Sequence, residues 1–448
     1  MNRSLLRSRL VGGATGAFPG EVVVATGFTW PGRGRVRCAA APLLAESFSR
    51  RGVPVRSAPV SAGADLAVGS PVGHGPGAGL PPDGEVVVAV SYLHDELPAT
   101  GFGVSVAAAD SSGLDAAESV IDDWAAVLRT RRLLVADVDG SCPGSRRAEA
   151  VIHEAVRSAA GPVAVVGEPV AVRRAAGTPR VPDLRVVDEL DQVAEGTTVV
   201  FPAHGVRLAT AAHAAARGLT VADATCPLVA RACANVREYA GRGDTVALIG
   251  GSDLAVTATL VDQAPDRVAM VQDRADAEAL AADPRRLSFV VVPGFPVEKA
   301  AVLVAAVRER YPRLRGHRHE VLCYAASDRA ETVGSVAAAS DAMFVLGTPE
   351  EADCREVSAM ASETGATVHV LSGVADLRPE HLASVATVGV AVTRSAPPEL
   401  LTDFAEVLSG LGPLTVARRS TQTQAGYGEA ADGGGRSLAA SVSADPGW

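Results

Sequence analysis

From residue 131 to about residue 417 the chain alternates short apolar runs with alanine-rich amphipathic stretches, and this alternation restricts the fold more than any other feature. The runs occupy residues 133–136, 163–166, 197–201, 219–222, 246–249, 289–292, 343–346, 368–371 and 388–392. They are short and rich in β-branched residues, as strands buried on both faces are. Strand and helix patterns in turn imply parallel sheets covered by helices on both sides, an α/β class. The number of runs predicts several small sheets instead of one.

Two other zones flank this one. Residues 1–130 hold strand-like runs at 21–25 and 85–90 and helical patterns near 39–51 and 114–129, and are expected to form an N-terminal α/β extension. Between them, residues 61–84 are rich in Gly, Pro and Ala and read as a loose loop. Residues 418–448 have no apolar period and are expected to be a disordered tail.

Composition narrows the function classes. With 448 residues, the chain has about three domains' worth of core at roughly 150 residues each. Aromatics are only 4%, so Val, Leu and Ala must build the cores. The net charge is −10, and of 41 basic residues only Lys299 is a lysine. No basic stripe with interleaved aromatics is present, which argues against nucleic acid as a partner. No apolar run approaches the ~18 residues that span a bilayer. Met1-Asn2-Arg3-Ser4-Leu5-Leu6-Arg7-Ser8-Arg9 resembles the start of a signal peptide, but glycines and Pro19 break up the residues after it, so no membrane is expected and the protein reads as cytoplasmic. Six cysteines are too sparse for a disulfide scaffold. In a reducing compartment, thiols at turns read as ligands or nucleophiles.

Ligands of open α/β sheets bind beyond the carboxyl ends of the strands, so the polar residues there carry the chemistry. Three of them are Cys142 in Gly140-Ser141-Cys142-Pro143-Gly144, Cys226 in Asp223-Ala224-Thr225-Cys226-Pro227-Leu228-Val229, and Cys323 in Leu322-Cys323-Tyr324-Ala325. Each opens a helical pattern, where the helix dipole is expected to favour thiolate, the form that binds iron or zinc. Their separations, 84 and 97 residues, are far too wide for a zinc ribbon or knuckle. They suit a site assembled from three separate strand–helix units. Three thiolates without a fourth fit an iron–sulfur cluster with one iron left open to substrate. The plainer alternative is a small buried apolar side chain, and that is the better reading for Cys233 and Cys354; Cys38 has no partner motif.

His204 in Pro202-Ala203-His204-Gly205-Val206 follows an apolar strand and precedes a glycine, which puts it at the same rim. Asp253 in Gly250-Gly251-Ser252-Asp253 and Ser395 in Thr393-Arg394-Ser395-Ala396-Pro397 are at further strand ends. Ser395 reads equally well as a helix N-cap.

The Cys226 motif, the His204 motif about twenty residues before it, and the Cys323 motif together resemble 4-hydroxy-3-methylbut-2-enyl diphosphate reductase, over roughly residues 131–417. The resemblance implies three α/β units arranged around a central [4Fe-4S] cluster, held by Cys142, Cys226 and Cys323. It implies a two-electron reductive dehydroxylation of an allylic diphosphate to isopentenyl and dimethylallyl diphosphates, with ferredoxin or flavodoxin as electron donor. His204 and Ser395 match diphosphate-binding residues.

The chain departs from the family pattern in four places. Ala171 stands where the family has a second His, and Leu254-Ala255-Val256 replaces a His-Pro-Glu segment that binds diphosphate and supplies protons. Pro293-Gly294 replaces a Thr, and Glu351-Ala352-Asp353 a phosphate-gripping Ser-Ser-Asn set. Two carboxylates beside a diphosphate have the wrong sign. Asp253 or His204 is then the nearest replacement proton donor. A cluster-bearing relative with another substrate, and a non-catalytic redox sensor, are the alternatives. The first 130 residues have no counterpart in the minimal family enzyme.

Overall fold

The computed structural model describes residues 4–13, 15–30, 34–66, 84–94, 97–137, 142–167, 184–316, 322–394, 396–397 and 399–423. The N-terminal extension contains strands β1 (Ser4–Gly12), β2 (Val22–Trp30) and β3 (Gly34–Arg37), then helix α1 (Ala41–Arg50). Strands β4 (Val55–Leu66), β5 (Glu85–His94) and β6 (Leu97–Ala107) and helix α2 (Ser111–Ala125) follow. The six strands close into a barrel in the order β1-β4-β2-β3-β6-β5. Closure leaves no edge to pair with another chain. Residues 4–9 of the segment that resembled a signal peptide belong to β1, which pairs antiparallel with β5 along its whole length. Residues 61–66, expected as loop, continue β4; residues 67–83 of that stretch lie outside the described residues.

Strand β7 (Arg131–Ala136) leads from the barrel into the α/β region. Next come α3 (Pro143–Ser158), β8 (Val163–Val166), β9 (Leu184–Val187), β10 (Thr198–Phe201), α4 (Leu208–Ala216) and β11 (Thr220–Asp223). Helix α5 (Pro227–Gly241), β12 (Thr245–Ile249), α6 (Ala255–Val261), β13 (Val268–Val271), α7 (Arg274–Ala279), β14 (Leu287–Val291), α8 (Val297–Arg310), β15 (Arg315–Gly316) and α9 (Ala325–Ala338) continue the pattern. Two four-stranded sheets result, β11-β10-β8-β9 and β13-β12-β14-β15, and every pair in them is parallel. Both lie in one compact unit over residues 138–331, joined by residues 420–423 of those described.

Burial explains the unbroken apolar runs of these strands. In β12, Val246 and Leu248 join one core with Val236 of α5, while Ala247 and Ile249 join another with Val304 and Val307 of α8. Successive side chains point to opposite faces, and each face has a helix to meet. In β8, Val163 and Val165 likewise serve a different core from Ala164 and Val166.

The chain ends its folded course in β16 (Ala342–Leu346), α10 (Ala352–Ser362), β17 (Val368–Leu371), β18 (Thr387–Val392), α11 (Leu400–Ser409) and β19 (Leu414–Arg419). These strands take β7 into a third sheet, β17-β16-β18-β7-β19, again all parallel. Strand β19 carries order two residues into the stretch read as tail; residues 424–448 lie outside the described residues. Barrel and third sheet belong to the second compact unit. One apolar core runs through both, from Trp30, Phe48 and Trp124 to Phe344 and Phe404. Arg131, 2% exposed, lies at this junction. It donates to the carbonyls of Val127, just past α2, and Leu411, just past α11, so one side chain satisfies acceptors that two helix ends leave open. Burial, with Arg129 nearby, pushes its pKa down to about 10. Among the described residues, no helix is long and apolar enough to cross a membrane.

Candidate functional site

The three cysteines of the sequence motifs all fall in the 138–331 unit, each at the entrance to a helix. Cys142 is the N-cap of α3, and its sulfur accepts the Ser145 N–H at 3.4 Å. Cys226 is the N-cap of α5, with Pro227 opening the helix. Its loop is set by Asp223, whose Oδ1 accepts the Thr225 N–H at 2.8 Å. The Cys226 N–H donates to Ala203 O at 2.9 Å, which ties this turn to the His204 turn. Cys323 stands two residues before α9, with the backbone N–H groups of Ala325 and Gly294 directed at its sulfur. Gly294 holds a φ of 94°, a backbone conformation open mainly to glycine.

Gly144 brings two of the thiols together. A Cβ built on it would lie 2.6 Å from the Cys226 Sγ and 3.7 Å from the Cys142 Sγ. The missing side chain is therefore the space the Cys226 thiol occupies. Cys323 packs against the same apolar cluster that contains Cys226. All three sulfurs are within electrostatic reach: Cys142 acts on Cys226, and both act on Cys323.

The helix-dipole expectation is corrected at two of the three. Burial raises the Cys226 thiol above its ordinary pKa, and the neighbouring Cys142 adds to this, against hydrogen bonds from Val229 and Leu228. Burial likewise pushes Cys323 up to about 11, with Cys142 and Cys226 again adding. Desolvation and like-charge repulsion outweigh the dipole. Thiolates gathered here need a cation to offset both penalties, and metal binding supplies one by displacing the protons.

The donor set fits a cluster better than a single ion. Among the described residues no group of three His, Cys, Asp or Glu side chains closes on one metal ion. A lone zinc needs its sulfurs at about 2.3 Å from one point. A cluster of several irons takes each thiolate on a different metal and tolerates wider spacing. Three sulfurs, backbone N–H donors aimed at them and a glycine cradle match that second demand.

His204 follows β10 in a tight turn closed by the Gly205 N–H to Pro202 O bond. Its Nδ1 lies 2.9 Å from the Gly205 carbonyl. A carbonyl only accepts, so Nδ1 carries the proton in this contact and Nε2 takes no part in it. Gly205 has φ 76°, with Thr225, Val229 and Thr259 packed against it. Asp253 is exposed beyond β12, its carboxylate folded over Gly251. Leu254 precedes α6, and Val256 is buried within it. Asp353, in the other unit, accepts the Arg394 N–H at 2.7 Å and pairs with its guanidinium at 3.5 Å, so one of the two carboxylates of unfavourable sign has a counter-charge. Ser395 and Ala171 lie outside the described residues.

Gly144 and Arg147 were not singled out by sequence. A glycine inside the first turn of a helix costs about 1 kcal/mol relative to alanine. That cost is the signal that could have marked Gly144 as a point of close approach.

Residues 133–409 match the family model described as LytB protein. The chain is 34% identical over 302 residues to 4-hydroxy-3-methylbut-2-enyl diphosphate reductase 2 of Mycobacterium bovis, covering 65% of this chain and 90% of the relative. It is 31% identical over 282 residues to the 4-hydroxy-3-methylbut-2-enyl diphosphate reductase of Acidithiobacillus ferrooxidans, covering 62% and 89%. The solved structure of the E-1-hydroxy-2-methyl-but-2-enyl-4-diphosphate reductase from Plasmodium falciparum is similar with a TM-score of 0.55 at 19% identity, covering 65% of this chain and 92% of that one. At that identity the likeness speaks to the fold. The family match begins inside β7, so the barrel lies before it.

Proposed function

The chain belongs to the LytB family, and from that premise we propose that it reduces 4-hydroxy-3-methylbut-2-enyl diphosphate to isopentenyl and dimethylallyl diphosphates in the cytoplasm. The reaction takes up two electrons and two protons, breaks the bond to the allylic hydroxyl and releases water. The observation that carries this reading is the convergence of Cys142, Cys226 and Cys323 through Gly144 and a shared apolar wall, inside the region that matches the family.

Those three cysteines would hold a [4Fe-4S] cluster, which when bound supplies electrons one at a time and an iron with an open position. The other residues bind and protonate. His204, with its Nδ1 proton committed to Gly205 O, presents Nε2 to the diphosphate, and in its protonated form donates there. Ser395 is a further candidate for binding diphosphate, on the family resemblance of its motif. Asp253, at the carboxyl end of β12, is the second candidate for moving a proton to the substrate. The apolar start of α6 at Leu254, Ala255 and Val256 offers no proton, which supports His204 or Asp253 as the candidates for that task. Electrons arrive from a small one-electron carrier of the ferredoxin or flavodoxin type.

The deciding experiment is anaerobic. The full chain is reconstituted with iron and sulfide, its cluster is verified spectroscopically, and the diphosphate is added with a strong reductant. Appearance of the two isomeric products is the expected result. A cluster whose spectrum is unmoved by the diphosphate, with no product, would overturn the reading.

A further inference from the structure

The peptide between Thr225 and Cys226 is held at both of its polar groups. Its N–H donates to Ala203 O at 2.9 Å, and its carbonyl accepts from Arg147 Nη1 at 3.1 Å. The first bond comes from the His204 turn. The second comes from α3, the helix that Cys142 caps.

Arg147 and Gly144 are three residues apart and so share one face of α3. That face is the one Cys226 meets, because the Cys226 Sγ occupies the space beside Gly144. The guanidinium is thus tied to the backbone immediately before one ligand and rooted on the helix of another. That bond also holds the positive charge of Arg147 beside the Cys226 turn.

We propose that Arg147 is a positioning residue that fixes the spacing of the Cys142–Cys226 pair and holds a cation beside it, and so raises the reduction potential of the cluster they would hold. The proposal rests on the cluster assignment made above. The potential of an iron–sulfur centre follows the net charge, hydrogen bonding and solvent exposure around its sulfurs. A permanent cation beside one thiolate favours the reduced cluster, which carries one more negative charge. Arginine keeps that charge at any working pH, and its planar fork holds a carbonyl in a fixed direction. Because Arg147 is exposed, solvent screens its charge, and the effect is modest.

The test compares the reconstituted wild type with Arg147→Met and Arg147→Lys, all as full chains, in redox titrations followed by electron paramagnetic resonance. Arg147→Met keeps the apolar stem and removes the charge. The equilibrium for one-electron reduction should fall about tenfold, which is about 59 mV for one electron. Arg147→Lys restores the charge and should recover more than half of that shift. An Arg147→Met potential equal to wild type overturns the proposal, as does an Arg147→Lys potential as low as that of Met. If Arg147→Met takes up no cluster, Lys decides: a potential close to wild type supports the proposal, and failure to assemble there too overturns it in favour of a purely architectural bond. A wild type that holds a cluster yet ignores the diphosphate would sink the substrate reading and leave this comparison standing. A wild type that takes up no cluster would sink both.

Discussion

The barrel and the thiol site both bury groups that carry or acquire charge, and they settle them in opposite ways. In the barrel, Glu85 is 6% exposed and fully answered by donors. Its Oε1 accepts the N–H groups of Thr15 at 2.7 Å and Gly16 at 2.8 Å, and its Oε2 accepts the Ser105 hydroxyl at 2.7 Å. Burial alone would raise the Glu85 pKa, but these bonds together bring it below the ordinary value. Asp110 is treated alike, with the Gly113 and Gly20 N–H groups lowering its pKa. The thiols of Cys226 and Cys323 go the other way, raised by burial, with Cys142 adding at both and Cys226 adding at Cys323, despite the N–H donors around them. A buried group that the fold satisfies rigidifies the fold; one left short of a partner marks where a ligand completes it.

Substitutions at three positions probe this contrast, in falling order of effect. Cys226→Ser should remove a cluster ligand outright and reduce bound iron and the brown absorbance of the reconstituted protein to background, with the far-ultraviolet circular dichroism unchanged. Full iron content in this variant would refute the ligand assignment.

Glu85→Ala should act only on the fold. It strands three backbone N–H groups and two hydroxyls, and is expected to lower unfolding stability by roughly 3 kcal/mol in urea titrations, without altering iron binding. Because the native Glu85 pKa is depressed, ionised Glu85 contributes stability above the ordinary carboxylate range, and this is lost as pH falls through that range and then through the lowered native value. Stability of Glu85→Gln should therefore vary less with pH below about 5 than that of the wild type. Parallel curves would remove Glu85 from the acid response.

Gly144→Ala should separate the two regions most finely. Alanine improves the helix by up to about 1 kcal/mol, yet its Cβ meets the Cys226 Sγ at 2.6 Å. The expected outcome is unfolding stability within about 1 kcal/mol of wild type, together with iron release to a chelator several-fold faster. Unchanged release would mean that the cradle does not govern the site.

Most of the α/β strands that were legible in the chain, such as β8, β10, β12, β14, β16 and β18, are largely buried, although the edge strands β11 and β17 were legible too. Residues 163–166 and 368–371 match β8 and β17 residue for residue, and the other expected runs differ by a residue or two at their ends. The strands that went unread, β9, β13, β15 and β19, are all at sheet edges. Three of them carry arginines that break up any apolar run, Arg185 in β9, Arg315 in β15, and Arg418 and Arg419 in β19, whereas β13 is itself the apolar run Val268-Ala269-Met270-Val271 and went unread without such a reason. In the barrel, long strands such as β1, with Arg7 and Arg9, mix charge with apolar residues, because Glu118 and Asp122 of α2 answer those arginines from outside. The cysteines were readable because each has a helix-starting motif. Gly144, Gly294 and Arg147 were not, because they act by a missing side chain, a backbone N–H and a bond across 78 residues.

Strand β7 sits between β18 and β19, although 250 residues of chain separate it from the first of them. During synthesis β7 emerges early and has no sheet to join. The 138–331 unit, with all three cysteines, can complete its own sheets while β7 still waits. The barrel's junction with the third sheet closes only when Arg419 has left the ribosome. Every strand of the two four-stranded sheets in the unit that holds the thiols is therefore made before the third sheet can close.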